Sequence, residues 1–180
     1  RYMENPSQTH MGAVKRILRY VKGTINLGVH YKKNGGNVLE AYSDSDYAGD
    51  LDTRRSTSGY VCFLSGAAIS WSSKRQPVVT LSTTEAEFVA AASCACQVVW
   101  LRRILESIGI AQREEESTVM YCDNMSTIKL SRNPVMHKRS KHIDVRFHFL
   151  RDLTNDGVVE LVHCSTHVQI ADILTKPLKM

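Results

Sequence analysis

The sequence predicts an α/β fold: a mixed five-stranded central sheet flanked by helices, with a helix-and-strand appendage at the N-terminus. Three observations carry this. Three strand-like runs follow one another without a helix between them. A long, capped, apolar-rich helical stretch comes next. After it, strand and helix signals alternate, the pattern of strands reached through helical crossovers.

The appendage covers residues 1–36. Asn5-Pro6-Ser7 forms a helix start, and Val14, Ile17, Leu18 and Val21 recur at helical spacing opposite Lys15, Arg16, Arg19 and Lys22. Gly23 ends that helix, Gly28–Lys32 reads as a short strand, and Asn34-Gly35-Gly36-Asn37 as a turn. The main domain, 37–180, opens with strands at Val38–Ser45, Ser58–Leu64 and Ala67–Ser73, the last two joined by a hairpin turn at Ser65-Gly66. Ser82-Thr83-Thr84-Glu85 is a capping-box pattern that starts a helix running to Ser107, and Gly109 lies just past its end. A strand over Thr118–Asp123 leads into a short helix, Met125–Ser131, closed by Asn133-Pro134. A basic helix follows over Ser140–Asn155, then a strand at Val158–His163 and a last helix at Val168–Thr175 before Pro177.

Composition narrows the function. Of the 180 residues, 43% are hydrophobic and 23% charged, the balance of a globular domain rather than a disordered one. No uninterrupted apolar run approaches the ~20 residues of a membrane span, so no membrane partner is expected. The first residues, Arg1-Tyr2, read as a cut from a longer protein. Five cysteines in no regular framework point to a reducing, intracellular compartment. Cys94 and Cys96, two apart on a helix, should face different ways. Neither an HExxH nor a CxxC motif is present, which leaves zinc with little support. The net charge of +5 is concentrated. Between Lys129 and Arg151 seven basic residues meet one acid, Asp144, a local block suited to a polyanion.

Four acids stand out by position. Asp44 lies within an apolar-alternating strand, where acids are disfavoured without a purpose. Glu87 is near the start of the long helix, Asp123 ends a strand, and Asp172 falls in the first turn of the last helix. Each has an ordinary explanation: Asp172 and Glu85 suit helix dipoles, and Asp123 could cap the helix that follows it. As a set they differ, because clustered carboxylates raise one another's pKa unless a cation neutralises them, and magnesium favours carboxylates plus water.

The segments Tyr42-Ser43-Asp44-Ser45-Asp46-Tyr47-Ala48-Gly49-Asp50, Ile69-Ser70-Trp71-Ser72-Ser73-Lys74-Arg75-Gln76 and Leu81-Ser82-Thr83-Thr84-Glu85-Ala86-Glu87-Phe88 resemble the RNase H domain of Copia-type (pseudovirus) retrotransposon Pol polyproteins. So do Ser140-Lys141-His142-Ile143-Asp144 and Ala171-Asp172-Ile173-Leu174-Thr175-Lys176-Pro177-Leu178. Residues 13–24 are similar to that family's link from reverse transcriptase. The resemblance implies an RNase H-like fold and a metal site of Asp44, Glu87, Asp123 and Asp172, with Asp44 favoured over Asp46 and Glu87 over Glu85. It implies two Mg²⁺ ions, replaceable by Mn²⁺, and cleavage of the RNA strand of RNA/DNA hybrids to 5′-phosphate products. A histidine before the last Asp, His163 in preference to His167, would assist product release. Ser82, Thr83, Thr84 and Asn124 are placed to read a 2′-hydroxyl, with helix capping as their other role. Arg54, Arg55, Lys138, Arg139 and Lys141 are candidates for phosphate contacts.

An integrase would run Asp, Asp, Glu, whereas here Glu87 precedes Asp123. No Tyr-x-Asp-Asp motif is present, so a polymerase is not encoded within these residues. The reverse transcriptase of the same polyprotein is an expected partner, docking on the apolar side of residues 10–22, and the expected setting is cytoplasmic, in virus-like particles. The alternative function is a catalytically silent module that binds nucleic acid or docks on reverse transcriptase.

Overall fold

The computed structural model describes residues 4–32, 36–110, 112, 117–132 and 141–177; the side chains of residues 141–144 and 147 are not among those described. The chain divides into two compact units, Arg1–His30 and Tyr31–Met180. The first holds helix α1 (Gln8–Gly23), whose N-cap Ser7 exchanges hydrogen bonds with His10 in a capping box. None of its residues is buried: Ile17 and Leu18 are 61% and 62% exposed. The expected strand at Gly28–Lys32 does not form. Alternation alone makes no strand without a ladder partner, and residues 27–32 have irregular backbone instead.

The second unit is built on five strands, β1 (Leu39–Ser45), β2 (Thr57–Leu64), β3 (Ala67–Arg75), β4 (Thr118–Cys122) and β5 (Val159–His163), in the spatial order β3-β2-β1-β4-β5. β1–β2 and β2–β3 are antiparallel, while β4 and β5 join in parallel. The sheet is therefore mixed, as expected. Ser65 and Gly66 both take positive φ (55° and 77°), the geometry of a two-residue hairpin turn that matches strand twist.

Helix α2 (Thr83–Ser107) packs along the sheet through an alanine-rich face, where Ala86, Ala90, Ala91 and Ala95 are fully buried. Small side chains bring the helix axis close to the strands, and Phe88, Val98, Met120, Leu150 and Leu161 fill the space around them. Full burial of one such large side chain contributes ~1.5–3 kcal/mol. By length and mean hydropathy α2 is long and apolar enough to cross a membrane, but eleven of its apolar residues are buried in the core of this domain. Cys94 faces that core and Cys96 is exposed, so the two thiols do diverge; all five cysteines are free. Helices α3 (Met125–Arg132) and α4 (Lys141–Asn155) complete the helical layer. The other face of the sheet carries Tyr42, stacked on Tyr121 at 4.6 Å and edge-on to Phe63 at 5.8 Å.

The last helix differs from expectation. In place of one α-helix over 168–175 there are two 3₁₀ turns, η1 (Thr166–Val168) and η2 (Ile170–Leu174), separated by Gln169. Buried Gln169 is the cause: its Nε2 donates to the Ser43 carbonyl of β1 (3.0 Å) and its Oε1 accepts from Ala171 N (3.2 Å). The chain is pinned to the sheet at the point where a continuous helix would have to pass.

Candidate active site

β1 is the central strand, and its C-terminal end carries Asp44, 1% exposed. Parallel β4 ends alongside, so Asp123, the next residue, emerges at the same sheet edge. Asp172 reaches it from η2. Oxygens of Asp44, Asp123 and Asp172 lie within 4.8 Å of one another. Glu87, on the first turns of α2 and 6% exposed, offers a ligand atom within the same distance of Asp123 and of the Cys122 sulfur. All four sequence-selected acids therefore converge.

Their neighbours do different work. Asp46 accepts from Thr57 N (2.7 Å), and its carboxylate fills the space beside Gly49, where a Cβ would fall 2.4 Å from Asp46 Oδ2. Glu85 accepts from Leu81 N (2.6 Å) while its own N–H donates to Ser82 Oγ (3.2 Å), a helix cap. Asn124 Oδ1 accepts from the N–H groups of Ser126 and Thr127, both at 3.0 Å, so Asn124 rather than Asp123 caps α3. Asp123 is left to accept from Thr166 Oγ1 (3.0 Å).

Burial sets the electrostatics. It drives the Glu87 carboxyl up to about 8, helped by the charges of Asp44 and Asp123 and opposed by a hydrogen bond from Ser45 N to Oε1 (3.1 Å). The other oxygen, Oε2, is buried and has no hydrogen-bond partner among the described residues. Asp44 rises to about 6, again through burial first, even though the Thr175 hydroxyl donates to it and Lys176 stands near. Lys176 Nζ lies 2.6 Å from Asp172 Oδ1 and 3.8 Å from Asp44 Oδ1. Paired carboxylates and an orphaned buried oxygen fit a hard divalent cation, which takes oxygen ligands and removes the repulsion.

Three positioning residues were not singled out from sequence. Gln169 ties the η2 segment to β1, and Thr175 fixes the Asp44 carboxylate. Gly59, directly opposite Asp44 in the β1–β2 ladder, is the third. A Cβ there would lie 2.8 Å from Thr175 Cγ2 and 2.9 Å from Leu174 Cβ, so only glycine lets η2 settle against the strands. No local pattern announces these residues, because their partners lie more than a hundred positions away.

Among the proposed substrate contacts, Ser82 is the N-cap of α2, Thr83 is exposed, and Thr84 is half-buried with its carbonyl accepting from Thr127 Oγ1 (3.1 Å). Arg54 is exposed with φ 54°, and Arg55 is half-buried, in a loop pinned by Asp50, which accepts from Thr53 N (2.9 Å) and pairs with Arg75 (2.8 Å). Lys138 and Arg139 lie outside the described residues; Lys141 begins α4, its side chain likewise outside. Within the basic block, Arg132 is committed to β5, donating to the Leu161 carbonyl (3.1 Å) and facing Glu160 (3.5 Å). His163 ends β5 exposed, and His167 is exposed in η1 next to Thr166.

The fold and its site define an RNase H-like α/β domain. Over 78% of this chain and 91% of its own, the N-terminal RNase H domain of rv2228c from Mycobacterium tuberculosis superimposes with a TM-score of 0.56 at 13% identity. LC11-RNase H1, solved in complex with RNA/DNA hybrid, superimposes with a TM-score of 0.53 at 13% identity over 76% of this chain and 93% of its own. In sequence, the retrovirus-related Pol polyprotein of transposon TNT 1-94 from Nicotiana tabacum is 46% identical over 178 residues, 98% of this chain. The chain belongs to the Copia-type retrotransposon Pol polyprotein family, of which it carries the RNase H region. It spans 13% of the length of that tobacco relative. No family model matches the chain.

Proposed function

We propose that this domain hydrolyses the RNA strand of RNA/DNA hybrids as the ribonuclease H of its polyprotein. The observation that supports this reading most directly is the meeting of Asp44, Asp123 and Asp172 within 4.8 Å at the end of the central strand, with Glu87 buried beside them. The RNase H fold and the Pol relatives support a nuclease-type activity. Asp44, Glu87, Asp123 and Asp172 would hold Mg²⁺, or Mn²⁺ in its place, as two ions. Bound there, such ions supply Lewis-acid polarisation of phosphate and a water of lowered pKa.

The chain's own groups do the rest. Thr175 orients Asp44, and Thr166 orients Asp123, so two ligand carboxylates are aimed before substrate arrives. Ser82, Thr83 and Thr84, which precede Glu87 at the start of α2, and Asn124, which follows Asp123, would accept or donate at a ribose 2′-hydroxyl, which DNA lacks. Arg54 and Arg55, with Lys138, Arg139 and Lys141, would hold the phosphates. His163, or His167 beside Thr166, would help release product. The reverse transcriptase domain of the parent polyprotein is the proposed partner, in a cytoplasmic particle.

A labelled-hybrid assay with Mg²⁺ tests this. Endonucleolytic cutting of the RNA strand is expected, with Asp123→Asn lowering the rate at least ~100-fold, the upper end of what outer-shell losses cost metal sites. Hybrid binding without cutting, in a chain that still folds, would instead favour the silent module.

A further inference from the structure

Lys176 belongs to no part of the proposed metal site, yet its ammonium stands beside two of the four acids. Its N–H donates to the Asp172 carbonyl (2.9 Å), a turn that folds the lysine back over Asp172. The ammonium then bonds Asp172 Oδ1 at 2.6 Å and stands 3.8 Å from Asp44 Oδ1. These are two of the three carboxylates whose oxygens lie within 4.8 Å of one another. Like charges this close repel unless one keeps its proton or a cation stands among them. An ordinary surface lysine pair would join one exposed acid, whereas here one partner, Asp44, has a side chain only 1% exposed. The lysine side chain itself is 44% exposed, so it has solvent to move into.

We propose that Lys176 is a tethered counter-ion for this carboxylate cluster: its ammonium neutralises Asp44 and Asp172 in the metal-free protein and leaves them when a divalent cation binds. Lys176 is then a positioning residue that keeps the ligands assembled and lowers metal affinity by competing for them. This inference rests on the reading of Asp44 and Asp172 as metal ligands. It adds that the metal must displace a side chain to enter.

The test uses the full chain and two readouts that do not involve cleavage. Calorimetric titration with Mg²⁺ compares wild type, Lys176→Gln and Lys176→Arg. With the site held by Lys176 about nine-tenths of the time, Lys176→Gln should bind Mg²⁺ about tenfold more tightly and melt at a lower temperature in EDTA, with Lys176→Arg restoring both towards wild type. Unchanged or weaker Mg²⁺ binding in Lys176→Gln overturns the proposal. The second readout needs no variant. Acylation of wild-type lysines by an amine-reactive reagent, followed by mass spectrometry, should show Lys176 labelling severalfold faster with Mg²⁺ than in EDTA, while exposed Lys74 is unaffected. Equal or slower labelling of Lys176 with Mg²⁺ also overturns it. If wild type binds no Mg²⁺ at all, the metal-site reading itself fails; binding that is indifferent to Lys176 defeats only the counter-ion.

Discussion

Asp44 and Asp46 are chemically identical and two residues apart, and the structure gives them unrelated tasks. Asp44 lies on the ladder and is buried against other acids. Asp46 lies one residue past the strand and spends an oxygen on Thr57 N. Asp44→Asn should therefore abolish cleavage in the hybrid assay, while Asp46→Asn, which keeps the acceptor, should stay within a fewfold of wild type. The same burial gives a pH signature. In the metal-free protein the Asp44 and Glu87 carboxyls sit at about 6 and about 8, above their ordinary values of 3.8 and 4.5. The folded form thus keeps protons that the unfolded chain has already released. The stability this confers is complete at acidic pH and is lost as pH rises through about 6 and then about 8. Melting temperature in EDTA should fall from about pH 4, where the unfolded carboxyls begin to release protons, to about pH 8. Glu87→Gln should flatten the upper part of that fall, and Mg²⁺ should reverse it in wild type. A flat wild-type profile would contradict the burial of these acids.

At the scale of elements, the decisive piece is the η2 segment. It delivers Asp172, Thr175 and Lys176 to Asp44 only because Gln169 holds it to β1 and Gly59 leaves it room. Gly59→Ala should destabilise the domain by ~1–3 kcal/mol, the usual cost of overpacking, measured by chemical denaturation. It should also weaken Mg²⁺ binding, since Thr175 and Leu174 must shift to admit the Cβ. Helices and strands with local signals were legible in advance. α2 runs from Thr83 to Ser107 as its cap pattern indicates, because Ser82 and Glu85 encode the start within four residues. The strand expected at Gly28–Lys32 and the helix expected at Val168–Thr175 were misread for a common reason. Alternation and helical spacing describe a propensity, whereas a ladder partner and a tether such as Gln169 come from elsewhere in the chain.

For the whole molecule, the core belongs to the second unit, and α1 buries none of its side chains. A chain beginning at Tyr31 should keep its cooperative melt within a few degrees of the full chain, read by calorimetry; a large drop would show that the first unit contributes to the core's stability. The net charge of +5 suits a polyanionic substrate. Its concentration between Lys129 and Arg151 proved less free than the sequence suggested, since Arg132 is engaged with β5.

By itself the sequence determined the α/β class and the order of strands and main helices, because periodicity and caps are local properties of the chain, and it pointed to the four acids through motifs that resemble a known family. It could not determine that the acids meet. Asp44 and Asp123 become neighbours through the parallel pairing of β1 with β4, and Asp172 through a segment seated against Gly59. Tertiary structure alone decided their burial, the orphaned oxygen of Glu87 and the lysine among the carboxylates. Those follow from contacts between residues far apart in sequence, where charge and exclusion of water depend on what the fold brings together.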